Sequence, residues 1–176
     1  MKEINTYLEE LSKENAHSSI AWEWEKFGDQ ILEPLLKLLE VGSSIEKYHA
    51  AHVIRQIWFR RKYQNWIIEN AVENLIRNLQ DVEPQTRGYT AAVLSDFRDR
   101  RALKPMIDLA QDSSDYVRWV VAWALGSFDD VRAIPALEWI RDNDTAWQMV
   151  KGQEGSYKQM NRDVASQTID KLSKLA

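Results

Sequence analysis

An internal repeat of roughly 30 residues constrains this chain more than any other feature of its sequence. Residues 101–128 predict two helices joined by a turn at residues 112–115, where Asp and Ser favour turns and helix starts. Pro105 falls in the first turn of the first helix, where its missing N–H costs nothing. Apolar residues follow at helical spacing in the second helix: Val117, Val121, Ala124, Leu125 and Phe128.

The same pattern recurs along the chain. The basic residue Arg118 has counterparts at Lys47, Arg87 and, more weakly, Arg162. The turn residue Asp112 has counterparts at Asp81 and Asp142, and Pro105 at Pro34 and Pro135. A helix pair repeated in this way predicts a stack of helix pairs with one continuous core.

The pattern resembles the HEAT repeat family, in the short bacterial form also called PBS-lyase HEAT-like. The residues that carry the resemblance are Val117-Arg118-x-x-Val121-Ala122-x-Ala124-Leu125-Gly126 and Ala133-Ile134-Pro135-Ala136-Leu137. The resemblance covers roughly residues 29–175. It implies an all-α fold, a right-handed α-α superhelix (HEAT-like solenoid) of about four to five helix pairs.

We expect a single domain over residues 1–176. Its predicted parts are an N-terminal helix pair at 2–28, in which Gly28 ends a helix, and repeats at 29–66, 69–98, 101–128 and 131–175. The last repeat contains an inserted segment at 143–158, whose two glycines and mixed polarity predict a loop. Trp147 and Met149 in this loop either fold back over the core or reach a partner.

Composition narrows the function classes. The net charge is −4, which gives no general attraction to nucleic acid or to an anionic membrane. There is no cysteine, which excludes disulfides and thiolate metal sites and fits a cytoplasmic location. No apolar run has the length of a membrane span, and no phosphate loop or nucleophile motif occurs. These observations predict a soluble protein without catalytic residues, cofactor or metal.

The second helices of such a repeat protein usually line the concave, binding surface. With Val117 and Val121 buried, the opposite face of their helix carries Tyr116, Trp119 and Trp123 as one stripe. Large aromatic side chains outside the core favour an interaction site.

Equivalent positions in the other repeats include Ile45, Tyr48 and His52, and Gln85, Gly88 and Ala92. The small residues Gly88 and Ala92 predict the floor of a notch. Its predicted walls are Tyr48 and His52 on one side and Trp119 and Trp123 on the other, with Tyr89 and Asp96 near the rim. In the alternative, these aromatic residues pack against each other or lie under the inserted loop.

Two other clusters of polar residues are candidate sites. Arg98, Arg100, Arg101 and Arg132 fall on turns between repeats and form a candidate basic edge, although cations are favoured after helix ends in any case. Glu46, His49 and His52 resemble half of a metal site, but a second set of ligands is not evident.

The sequence therefore predicts a non-catalytic interaction module that binds another protein or a peptide on the concave face, as a monomer or weak homodimer. The alternative is a small-molecule or chromophore carrier that uses the notch. Lesser alternatives are a toxin immunity protein and, by resemblance alone, a DNA glycosylase-like HEAT protein or a bilin lyase-type protein.

Overall fold

The computed structural model describes residues 2–13, 20–60, 65–152 and 155–175, and these residues form helices and one β-hairpin. In this part of the chain, no helix is both long enough and apolar enough to cross a membrane. The α-helices are α1 (Lys2–Leu11), α2 (Leu32–Val41), α3 (Ser44–Arg60), α4 (Asn65–Asn78), α5 (Pro84–Phe97), α6 (Leu103–Asp108), α7 (Asp115–Ala124), α8 (Ile134–Asn143) and α9 (Asn161–Ser173). Short 3₁₀ helices span Ile20–Ile31, Arg100–Ala102, Leu109–Gln111, Leu125–Phe128 and Val131–Ala133. The strands are β1 (Trp147–Gly152) and β2 (Gly155–Met160).

Local sequence signals account for several helix ends. Ser43 and Glu46 cap α3 reciprocally, because the Ser43 N–H donates to the Glu46 carboxylate and the Glu46 N–H approaches the Ser43 hydroxyl. Pro135 occupies the first turn of α8. Gly28 has a φ of 56° and interrupts the Ile20–Ile31 segment, so the expected helix end at Gly28 is confirmed.

The chain divides into two compact units, Met1–Val93 and Leu94–Ala176, with the division inside α5. In the first unit, α2, α3 and α4 surround a core of fully buried aliphatic side chains. These include Leu35, Leu39, Ile54, Ile57, Leu75 and Leu79.

The second unit is built around α7, which packs on α9 and on the 3₁₀ turn Leu109–Gln111. Val117, Val121, Ala124, Leu125 and Phe128 are all buried. The helical phase predicted for this segment is therefore confirmed, and it fixes which side chains of α7 face outwards.

Among the described residues, each unit contains an ion pair that joins consecutive repeats, which we call a clamp. In the first unit, Lys47 and the Ser44 hydroxyl hold the Asp81 carboxylate. In the second unit, Arg118 holds the carboxylate of Asp144. Each clamp ties a second helix to the acidic turn of the following repeat.

The counterpart of Asp81 in the last repeat is Asp144, which corrects the assignment to Asp142. Both Asp81 and Asp144 accept a hydrogen bond from the backbone N–H two residues later. Asp142 is exposed and pairs with its neighbour Arg141. Arg162, the weaker counterpart of Arg118, is exposed, and the neighbouring buried Asn161 donates to Asp144.

The inserted segment is an antiparallel hairpin, not the expected loop. Trp147 pairs with Met160 at one end and Gly152 with Gly155 at the other. Side chains from 147 to 151 alternate strictly between exposed and half-buried, which is the period of a half-covered strand. Gln153 and Glu154, which the loop also included, lie outside the described residues.

Candidate functional site

Three aromatic side chains on α7 form a continuous stripe, as its helical phase predicts. The rings of Tyr116 and Trp119 are stacked with centroids 6.3 Å apart, and those of Trp119 and Trp123 meet edge to face at 6.4 Å. Trp123 is 37% exposed, whereas Tyr116 and Trp119 are half-buried. We call these residues the α7 stripe. It offers a rigid aromatic surface, since each ring is supported by the next.

One face of the hairpin lies against this stripe. The Trp119 indole N–H donates to the Gln159 side-chain oxygen over 3.2 Å. The half-buried side chains Gln148, Val150 and Gln159 alternate with exposed ones, so they define the covered face. The insertion thus contacts the stripe at Trp119, and the Trp123 ring is 37% exposed.

The opposite face of the hairpin is exposed. Trp147 is 44% and Met149 58% exposed, so neither side chain returns to the core. The Lys158 ammonium lies 4.2 Å from the centroid of the Trp147 ring, within the range of a cation–π interaction. The alternative in which Trp147 and Met149 fold back over the core does not occur in the structure, and their contact with a partner stays a prediction.

A buried polar cluster at the base holds the hairpin in place. Asp144 accepts from Arg118, from the Asn161 amide and from the backbone N–H of Ala146. Asn161 also donates to the carbonyl of Asp115 on α7. Burial alone would raise the pKa of Asp144, but these hydrogen bonds outweigh it, and the pKa lies below its ordinary value. Asp144 is therefore an anion around which the hairpin base is organised.

The predicted site residues of the first unit form a cluster of their own. Tyr89 packs against Tyr48 in a tilted arrangement, with ring centroids 4.7 Å apart, and its hydroxyl lies 2.7 Å from His52 Nδ1. Burial raises the pKa of Tyr48. Burial, followed by the charges of Arg55 and His49, lowers the pKa of His52. The neutral imidazole is thus favoured, and its Nδ1 shares a hydrogen bond with the Tyr89 hydroxyl.

A polar pocket of about 550 Å³ adjoins this cluster. It lies at the N-terminal ends of α3 and α5 and includes three of the positions expected on the binding face, Ile45, Tyr48 and Gln85. Its other lining residues are Ser12, Ser43, Ser44, Glu83 and Thr86. The size is within the range of small-ligand sites.

The remaining residues of the expected notch have different environments. Gly88 is buried and Ala92 half-buried in the first unit, and Asp96 is half-buried in the second. The structure places Tyr89 against Tyr48 and His52 instead of at a rim. A notch that combines residues of both units stays a prediction.

The histidines of the candidate metal cluster serve local contacts. His49 Nδ1 donates to the carbonyl of Leu11, and His52 binds Tyr89. Glu46 caps α3 together with Ser43. Within the described ranges, no three His, Cys, Asp or Glu side chains are grouped as metal ligands.

The arginines of the candidate basic edge are all paired with carboxylates of the second unit. The pairs are Arg98–Asp129, Arg100–Asp130, Arg101–Asp99 and Arg132–Asp130. Hydrogen bonds from Arg132, first from its side chain and then from its backbone, hold the pKa of Asp130 far below its usual range. These carboxylates offset the positive charge of the four arginines. A surface that binds phosphates needs a net positive charge instead.

Sequence reasoning missed Lys158, Gln159 and Asn161. The two glycines that bracket Gln153 and Glu154 in the sequence were the available signal for the first two, since apolar and polar residues do not alternate strictly from Trp147 to Lys151. Nothing in the sequence identified Asn161, because its role depends on packing against α7 and Asp144.

The helix pairs, their repeated clamps and the outward stripe define an all-α repeat protein. The family model for HEAT repeats matches residues 72–152, which confirms the HEAT repeats that the sequence predicted. A solved structure described as "computationally designed armadillo repeat proteins for modular peptide recognition" is similar in fold, with a TM-score of 0.58 and 17% identity. That similarity covers 96% of this chain and 73% of the designed chain. A comparison with curated proteins gives no match.

Proposed function

We propose that this chain is a non-catalytic interaction module that binds a protein or peptide through the α7 stripe. The observation that carries the proposal is the exposed Trp123 ring, which continues the supported rings of Tyr116 and Trp119. Packing of the core does not explain why the Trp123 indole is 37% exposed. Tryptophan and tyrosine in such a position are favoured contact residues, because they bury a large area at little entropic cost.

The first unit adds a second part to the proposal. Tyr48, Tyr89 and His52 form a rigid aromatic cluster next to the pocket at Ile45 and Gln85. Such a cluster would take the side chain of a bound peptide. Gly88, Ala92 and Asp96 remain candidate contacts within the same proposal.

A peptide is the natural first probe. HEAT-like repeat proteins commonly serve as scaffolds for protein binding. The designed armadillo proteins similar in fold were made for modular peptide recognition, by their description. A monomer or weak homodimer remains part of the proposal, to be measured by light scattering.

The test begins with a random peptide display selection on the immobilised full chain, followed by affinity measurements on purified peptides. Trp123→Ala is the decisive variant, because Trp119 also holds Gln159 and its loss would disturb the hairpin. We expect the dissociation constant for stripe-binding peptides to rise at least about tenfold, as for a contact worth more than 1.4 kcal/mol.

The matched control is Trp66→Ala on α4, since Trp66 is 39% exposed, almost the same as Trp123. Both variants should retain the helical circular dichroism of the parent chain. If every selected peptide binds Trp123→Ala as tightly as it binds the parent, the stripe is not the binding surface.

The pocket beside Tyr48 supports a second candidate function, the binding of a small molecule. A thermal-shift screen against a metabolite library tests it. A hit whose shift disappears in Ile45→Glu would place the ligand in this pocket, and a hit insensitive to Ile45→Glu would place it elsewhere.

A further inference from the structure

The exposed face of the hairpin has its own chemistry. Its exposed side chains are Trp147, Met149, Lys151, Ser156 and Lys158, and the half-buried Met160 lies opposite Trp147. The pairing of Met149 with Lys158 and of Lys151 with Ser156 puts them on one side of the two strands. We call this surface the outer face. It is separate from the covered face, whose Gln159 contacts the α7 stripe.

The charge of the outer face is opposite to that of the chain. Both charged residues among its described side chains are lysines, whereas the chain as a whole carries −4. Lys151 follows Met149 on the same side of β1, and Lys158 lies opposite Met149 on β2 and above the Trp147 ring. A partner complementary to this arrangement has an apolar side chain between carboxylates.

The Trp147 side chain is also held in position. The Lys158 ammonium above the Trp147 ring fixes the indole, yet Lys158 remains exposed and can still meet a carboxylate. At the other end, Asp144 and Asn161 anchor the hairpin base to α7. A surface ordered before binding loses less entropy when a partner arrives.

We propose that the outer face binds an acidic peptide segment. Carboxylates of the segment pair with Lys151 and Lys158, and an apolar side chain between them lies against Trp147 and Met149. This surface is separate from the α7 stripe and does not depend on it. The stripe lies against the covered face of the hairpin, and the outer face is on the other side.

The test uses the full chain and two display libraries that share a randomised apolar centre. Aspartate and glutamate flank the centre in one library, and lysine and arginine flank it in the other. We expect enrichment from the acidic library only. Trp147→Ala should raise the dissociation constants of the enriched peptides about tenfold. Lys151→Glu, which leaves the Lys158–Trp147 contact intact, should raise them at least about threefold.

Trp123→Ala and Trp66→Ala are the controls and should leave these affinities unchanged, so failure here is distinguishable from failure at the α7 stripe. Preference for the basic library overturns the proposal. So does binding insensitive to both Trp147→Ala and Lys151→Glu. If light scattering shows a dimer that Trp147→Ala dissociates, the occupant is a second copy of the chain, and the acidic segment is wrong.

Discussion

Arg118 binds Asp144 through two hydrogen bonds, from Nε to Oδ2 over 2.6 Å and from Nη2 to Oδ1 over 3.2 Å. The Asp144 side chain is only 1% exposed. This ion pair joins α7 to the turn from which the hairpin starts, so it links the aromatic stripe to the inserted segment.

Removing Arg118 should therefore destabilise the fold strongly. Arg118→Ala leaves the Asp144 carboxylate buried without its main cation, and we expect a loss of about 3 kcal/mol in the free energy of unfolding. Urea denaturation measures it. Arg141→Ala is the control, because its partner Asp142 is exposed and such pairs contribute at most about 1 kcal/mol. Equal effects of the two changes would contradict the role given to Asp144.

The stability of the fold should depend on pH through His52. Its pKa in the folded protein is lowered below the ordinary value of 6.5, so the unfolded chain binds the proton more readily. The His52 contribution is complete above pH 6.5 and declines as the pH falls below that value. We expect the melting temperature to fall over this window and the slope to become shallower in His52→Gln. An identical slope in His52→Gln would assign the dependence to other groups.

Gly126 should not tolerate a side chain. A Cβ at this position would lie 2.9 Å from the Thr168 methyl carbon on α9. We expect Gly126→Ala to cost about 1–2 kcal/mol in the free energy of unfolding, since overpacking forces neighbours to shift. Thr168→Ser removes that methyl and keeps the hydroxyl that donates to Val164. The double variant should recover most of the loss, and simple additivity in the double-mutant cycle would argue against the clash.

Two leucines of the second unit, one buried and one exposed, should contribute differently to the free energy of unfolding. Leu125 is fully buried, and Leu175 is 55% exposed. Leu125→Ala should reduce the free energy of unfolding by about 3 kcal/mol through lost transfer energy and a cavity. Leu175→Ala should change it by less than about 0.5 kcal/mol. Denaturation of the two variants in parallel reads the difference, and a small effect at Leu125 would mean that the second unit packs loosely there.

The helical part of the fold could be predicted from the sequence because the 3.6-residue period of a helix determines which side chains lie on the same face. Val117 and Val121 had to be buried together, and Trp119 and Trp123 then had to share the other side. The HEAT resemblance followed from the same residues. The contact of Trp119 with Gln159, forty residues later in the chain, is a matter of tertiary packing that no local pattern contains.

The sequence contains only a weak signal for the hairpin. Its strands are short, and a glycine-containing segment of mixed polarity is typical of a loop as well. The sequence assigns Asp142 and not Asp144 as the counterpart of Asp81, for a related reason. Asp142 and Asp144 are alike in type, and only the hydrogen bonds to Arg118 and Ala146 distinguish them.

The alternating faces of the hairpin restrict how this segment can change in length. In a strand, neighbouring side chains point to opposite sides, so deletion of one residue within β1 exchanges the two faces beyond the deletion. Trp147 and Met149 would turn towards α7, or Gln148 and Val150 away from it. Insertions and deletions in β1 are therefore tolerated in steps of two residues, whereas the turns between helices accept single ones.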